Sequence, residues 1–210
     1  MIKCVIFDFD GTLADTEGWA LSIYNELAFK SGYRTYTIEE IEKLKKMPTL
    51  KAVQTTGIPY RKLFSMLNKG QRMLKKHIND VEAFSPRIKE FLLEIETLSG
   101  KIGIISSNTK KNIRRFLNAK HIENMDFIIS SPLFSKETKI HSVLKKEKLH
   151  PEEVLYVGDE LRDIEASKKA GIYIAAATWG YNARSLLQEA KPNFILESLE
   201  DVISILKSLQ

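Results

Sequence analysis

The sequence predicts an α/β protein, a parallel sheet sandwiched by helices and interrupted by an inserted helical cap. Three observations predict it. Short apolar, partly β-branched runs recur along the 210 residues, each the length of a buried strand. Helix-period stripes lie between them, and strand alternating with helix is the signature of a parallel sheet with right-handed crossovers. The stretch from Phe9 to Ile102 is far longer than a crossover helix needs, so something is inserted there.

Taken in order, the strands are expected at Cys4 to Phe9, Ile102 to Ile105, Phe127 to Ile129, Val154 to Val157 and Ile172 to Ala176. Trp19, Ile23, Tyr24 and Leu27 continue from the first strand with helical spacing, which speaks against a plain hairpin at Asp10-Gly11. Thr37-Ile38-Glu39-Glu40 has capping-box spacing, and the helix it opens runs to Met47, before Pro48. A second cap helix after Gly57-Ile58-Pro59 carries Leu63, Leu67, Leu74 and Ile78 on one face, weakened in its middle by Gly70. Ile88, Phe91, Leu92, Ile95 and Leu98 form the stripe of a core helix, as do Ile140, Val143 and Leu144. The cap is placed at residues 15–84, leaving 1–14 and 85–210 as the core.

Hydrophobic residues make up 43% of the chain and charged residues 28%, which excludes a disordered, collagen-like or coiled-coil protein. No apolar stretch approaches the roughly 20 residues of a membrane span, so no membrane partner is expected. The opening MIKCVIFDFD puts two carboxylates where a secretory signal would continue its apolar core, and Cys4, the only cysteine, allows no internal disulfide. A cytoplasmic location is the expectation. The 32 Lys+Arg exceed the 27 Asp+Glu, a charge of +5 that steers anionic ligands. The Lys-rich pieces 110–115 and 145–148 read as solvated helix faces, and with no basic-aromatic motif no nucleic-acid partner is expected. Oligomeric state is not legible.

The chemistry gathers at strand ends. The first strand runs into Asp8-Phe9-Asp10-Gly11-Thr12, where period-two geometry turns Asp8 and Asp10 to one side and Gly11 bends the chain past them. The fourth strand closes in Gly158-Asp159-Glu160-Leu161-Arg162-Asp163, with Asp159 and Asp163 four residues apart on a strand-to-helix turn. With these two strands side by side, at least three carboxylates converge, each pair at about 4 Å repelling by roughly 4 kcal/mol at an effective dielectric near 20. Such a pocket calls for a hard cation, and Mg²⁺ suits an all-oxygen site of few carboxylates. His77, His121, His141 and His150 show no metal-ligand spacing, so zinc is not expected. The second strand ends in Ser106-Ser107-Asn108-Thr109, small donors suited to phosphoryl oxygens at a helix N-terminus, and Lys136 lies at a further strand-end loop.

Together, Asp8-Phe9-Asp10-Gly11-Thr12-Leu13, Ser106, Lys136 and Gly158-Asp159-Glu160-Leu161-Arg162-Asp163 resemble the four ordered motifs of the haloacid dehalogenase superfamily of phosphohydrolases. The insertion resembles the helical cap of the subgroup containing phosphoglycolate phosphatases and β-phosphoglucomutases. The resemblance implies a Rossmann-like core and an aspartyl-phosphate mechanism. It implies that Asp8 attacks phosphorus, while Asp10 protonates the departing oxygen and later activates water. Asp8, the Asp10 carbonyl and Asp159 would hold Mg²⁺, with Asp163 in support. Ser106 would bond the transferring phosphoryl group, and Lys136 would offset its charge. Lys139 is the alternative to Lys136, because the spacing is compact and the usual proline is absent.

Thr12, Ser107 and Asn108 are candidate substrate-binding residues. The second aspartate, absent from the dehalogenase branch, points to an oxygen leaving group. The expected activity is a phosphatase acting on a small phosphorylated metabolite, with a phosphoglycolate-like ester as candidate. A mutase of the β-phosphoglucomutase type and a non-catalytic regulatory protein are the alternatives. Asp15 and Thr16 fall at the expected hinge, and cap aromatics Trp19, Tyr24, Phe29, Tyr33 and Tyr36 either pack or line a pocket. Thr178-Trp179-Gly180-Tyr181-Asn182, which resembles a stretch in phosphoglycolate-phosphatase-like relatives, follows the fifth strand and carries no assigned catalytic role.

Overall fold

The computed structural model describes residues 1–132 and 135–209. From the N-terminus, β1 (Cys4–Phe7) leads through β2 (Ala14–Asp15) into four helices, α1 (Glu17–Lys30), α2 (Ile38–Leu44), α3 (Thr49–Thr55) and α4 (Tyr60–His77), and back through β3 (Glu82–Ala83). Then follow α5 (Ile88–Ser99), β4 (Ile102–Ser106), α6 (Lys110–Ala119), β5 (Phe127–Ser130), α7 (Lys136–Glu147) and β6 (Val154–Gly158). The chain closes with α8 (Leu161–Ala170), β7 (Tyr173–Ala177), α9 (Arg184–Glu189), β8 (Phe194–Leu196) and α10 (Asp201–Ser208).

Six strands form one parallel sheet in the order β5-β4-β1-β6-β7-β8. The central strands are buried on both faces, which is why they read as continuous apolar runs. Alternation sorts their side chains. Val5 and Phe7 of β1 join Leu155 and Val157 of β6 in a cluster with Phe91, Leu92 and Ile95 of α5 and Phe116 of α6. Cys4 and Ile6 join Val154 and Tyr156 on the other face, against Ile140 and Val143 of α7 and Ile164 of α8. The five expected strands are present, together with a sixth, β8, whose three apolar residues follow Lys191-Pro192-Asn193, a turn-like approach that carries no strand signal.

The short antiparallel ribbon of β2 and β3 pairs Ala14 with Ala83 and Asp15 with Glu82, so both chain crossings into the helical insertion are hydrogen-bonded to each other. Thr37 and Glu40 form the expected capping box of α2. The helix it opens ends at Leu44, earlier than Met47, and α3 begins directly after Pro48 as an additional helix. α4 runs unbroken through Gly70, which lies beside Ile23 of α1. Leu74 and Ile78 are buried as the stripe requires, whereas Leu67 is 39% exposed.

Candidate active site

β1 and β6 are adjacent, so the two acidic strand ends meet at the carboxyl edge of the sheet, where ligands of open α/β folds bind. One carboxylate oxygen each from Asp8, Asp159 and Asp163 lies within 4.8 Å of the others, and all three residues are buried. Gly11 makes this approach possible. Its φ is +76°, and a side-chain carbon there would strike the Asp159 carboxylate and the Tyr181 ring. At Gly158 an added carbon would stand 2.6 Å from Asp163 Oδ2, so the turn after β6 has no room for a larger residue.

Each carboxylate is held differently. Asp8 accepts from the Phe9 amide at 2.7 Å and from the Lys136 ammonium, which also bonds Asp163. Lys136 is buried beneath the Tyr156 ring, 5.6 Å from its centroid. Burial alone would push its pKa down, yet the Asp163 and Asp8 charges outweigh that and hold it well above the ordinary lysine value. The structure thus places Lys136, not Lys139, between the carboxylates. Asp163 also caps α8 by accepting from the Glu160 amide at 3.1 Å. Its pKa is pushed up to about 6, chiefly by burial.

Asp159 has no cationic partner among the described residues. It accepts from Thr12 Oγ1 and from the Tyr181 amide, both at 2.7 Å. Burial, then the neighbouring charges of Glu160, Asp8 and Asp163, push its pKa well above the usual carboxylate range. The Asp10 carboxylate stands apart from this trio. Both its oxygens face Asn108 Nδ2, at 3.0 and 3.1 Å, and burial followed by the Asp8 charge pushes its pKa up to about 6.

The β4 loop completes the edge. Ser106 is fully buried and its hydroxyl accepts from the Asn108 amide at 3.2 Å, while the Ser107 carbonyl takes a hydrogen bond from Gln71 Nε2 of α4 at 2.8 Å. The Thr12 hydroxyl is spent on Asp159. Sequence reading did not single out Gln71, Asn112, Thr49 or the Tyr181 amide for this edge. Thr49 of α3 donates to Glu160 Oε2 at 2.9 Å, Tyr181 Oη meets Thr16 Oγ1 at 3.0 Å, and the Ala183 amide bonds the Lys45 carbonyl at 2.9 Å. Backbone donors and contacts between distant segments leave no periodic mark, although the Thr178–Asn182 stretch was a visible signal.

Among α1 to α4 and the Glu160, Tyr181 and Asn182 segments lies a cavity of about 300 Å³ with mainly apolar walls. Tyr24 and Tyr36 line it, Trp19 instead stacks on His77 at 4.3 Å, and Phe29 is exposed.

The haloacid dehalogenase-like hydrolase family model matches residues 5–177, and the chain belongs to that family. It is 30% identical over 210 residues, 99% of each chain, to a phosphoglycolate phosphatase from Synechococcus elongatus, and 27% identical over 97% of its length, and 96% of the relative's, to the pyrophosphatase PpaX of Oceanobacillus iheyensis. Within the family it is a phosphatase-type hydrolase of the phosphoglycolate phosphatase-like subgroup. Two solved structures share the fold. A haloacid dehalogenase-like family hydrolase from Streptococcus pneumoniae superposes with a TM-score of 0.78 at 22% identity, over 97% of this chain and 98% of that one. CbbY from Rhodobacter sphaeroides, solved in complex with phosphate, gives 0.73 at 18% identity over 96% of each. Among the described residues no helix is long and apolar enough to cross a membrane.

Proposed function

We propose that this chain is a Mg²⁺-dependent phosphatase that hydrolyses a small phosphorylated metabolite through an aspartyl-phosphate on Asp8, with residues 15–84 as its cap. The observation that carries the reading is the Asp159 carboxylate, buried without a cation beside Asp8 and Asp163. Lys136 bonds Asp8 and Asp163 but not Asp159, whose ionised form burial penalises, and an all-oxygen donor set fits a hard divalent ion. Asp8, Asp159 and the Asp10 carbonyl would hold Mg²⁺, with Asp163 behind them. Bound there, the ion would supply positive charge that offsets the phosphoryl oxygens.

The chain's own groups do the rest. Lys136 pairs with Asp8, the nucleophile of this reading, and reduces the negative charge that an incoming phosphate meets. Asp10, fixed by Asn108, stands two residues further along the same strand end, where it gives a proton to the departing alcohol and later takes one from water. Ser106 and the amides of its loop are suited to the transferring phosphoryl oxygens. The relative named as a phosphoglycolate phosphatase makes a phosphoglycolate-like ester the first candidate substrate.

The test is phosphate release from a panel of phosphorylated metabolites with and without Mg²⁺, using the parent chain, Asp8→Asn and Asp10→Asn, with sugar phosphates also followed for isomerisation. Release that needs the metal and both acids is expected. Isomerisation without release would replace the reading by a mutase, and silence on every ester would replace it by a non-catalytic role.

A further inference from the structure

Asn112, on the first turn of α6, is buried to 1% exposure and touches none of the clustered carboxylates. Its side-chain amide nitrogen makes two hydrogen bonds, both at 3.0 Å, one to Asn108 Oδ1 and one to the backbone carbonyl of Gln71 in α4. Asn108 Oδ1 also accepts the Thr109 amide at 2.8 Å. With that oxygen claimed by two donors, the Asn108 amide has one orientation left, and its nitrogen must face Asp10, where it lies 3.0 and 3.1 Å from the two oxygens. Gln71 also donates through Nε2 to the Ser107 carbonyl, 2.8 Å away, so this one residue of α4 bonds both the β4 loop and the first turn of α6.

We infer that Asn112 is a positioning residue that ties the place of helix α4 to the orientation of the Asp10 carboxyl, so that the acid/base group is aligned only when the helical insertion is seated. The inference rests on the reading of Asp10 as acid and base. An aspartate that must deliver a proton to a leaving oxygen needs a fixed direction, because misplacement of the donor weakens the transfer steeply. Asn108 supplies that direction, and Asn112 prevents Asn108 from rotating. When α4 withdraws, Asn112 loses its Gln71 acceptor, and the amide that donates to Asn108 Oδ1 keeps only one of the two bonds that hold its plane.

The experiment compares kcat/KM on an alkyl phosphate ester with kcat/KM on p-nitrophenyl phosphate, whose leaving group departs with little proton assistance. Asn112→Ala and the shape-conserving Asn112→Asp, which lacks the amide donors, are each measured beside Asp10→Asn, alone and combined. The ratio of the two esters within one sample does not depend on how much of it is folded. In each Asn112 variant the alkyl-to-nitrophenyl ratio is expected to fall about 10-fold, part of the 10² to 10⁴ that acid–base assistance supplies. No further fall is expected when either is added to Asp10→Asn. An equal loss on both esters, or an undiminished further loss in the Asp10→Asn background, overturns the inference and leaves Asn112 a packing residue. If Asp10→Asn itself leaves the ratio unchanged, the reading of Asp10 fails and the inference falls with it.

Discussion

In the sheet core, successive residues of β1 feed two separate clusters, and Val5, Phe7, Leu92, Ile104 and Val157 are fully buried. Between α1 and α4, Ala28, Ile58 and Met66 form a small buried cluster apart from that core, while Phe64, Leu67 and Tyr60 remain exposed and a cavity persists among the helices. The difference assigns each region a task. Dense packing on both faces of a sheet fixes strand ends to within fractions of an ångström, which three mutually repelling carboxylates require. The more loosely packed insertion, joined to the core by Ile23, Leu74 and Ile78, the β2–β3 ribbon and a few hydrogen bonds, has less to lose by moving.

The strongest way to break this comparison is at the carboxylates. Asp8→Asn is expected to reduce phosphate release by about 10³-fold or more, because no neighbouring group replaces the nucleophile. Thr49→Ala, which removes the α3 bond to Glu160, should cost about five-fold or less, in line with a single hydrogen bond. Steady-state kinetics on one ester decide both, and a Thr49 loss as large as the Asp8 loss would mean that the insertion is as tightly coupled to chemistry as the sheet.

Packing comes next. Leu92→Ala in α5 should lower global unfolding stability by about 2–5 kcal/mol in a denaturant titration, whereas Met66→Ala in α4 should cost about 2 kcal/mol at most and show instead as faster amide exchange confined to the insertion. Equal global losses would contradict the difference in packing.

A smaller effect sharpens the account of the site. Asp159→Asn removes a buried carboxyl whose ionised form burial and the neighbouring acids penalise, so in metal-free solution near neutral pH the melting temperature should rise by about 2–4 °C while stabilisation by added Mg²⁺ is lost. The Thr12 hydroxyl can turn to accept from the new amide, which keeps the hydrogen bonds balanced. A fall in melting temperature would show that the charge is compensated in a way the geometry does not contain.

The smallest concerns Cys4, the buried thiol of β1. Burial pushes its pKa up to about 12, so the folded protein retains a proton that the unfolded chain releases near its ordinary value of 9.0. This contribution is fully present below pH 9 and is lost as pH rises toward 12. Alkylation at pH 8 should therefore wait for opening of the core, and rapid modification of the native protein would mean that β1 is less enclosed than its neighbours imply.

Much of this was legible in one dimension. A strand buried on both faces must be continuously apolar, so β1, β4 and β6 announce themselves, and acids at their ends stand out because nothing else in a buried strand is charged. The capping box at Thr37 and the stripe of α5 are local chemistry and read equally well. Tertiary structure alone decided the rest. Lys136 is distinguished from Lys139 by the turn of α7 that carries it between Asp8 and Asp163. The Tyr181 amide reaches Asp159 only after β7 has returned to the sheet edge, and Asn112 finds the Gln71 carbonyl only when α6 packs on α4. Local preferences act through neighbours along the chain, so sequence determines elements and the residues exposed at their ends. Hydrogen bonds between segments far apart in sequence depend on angles set by the whole packed core, and no spacing records them.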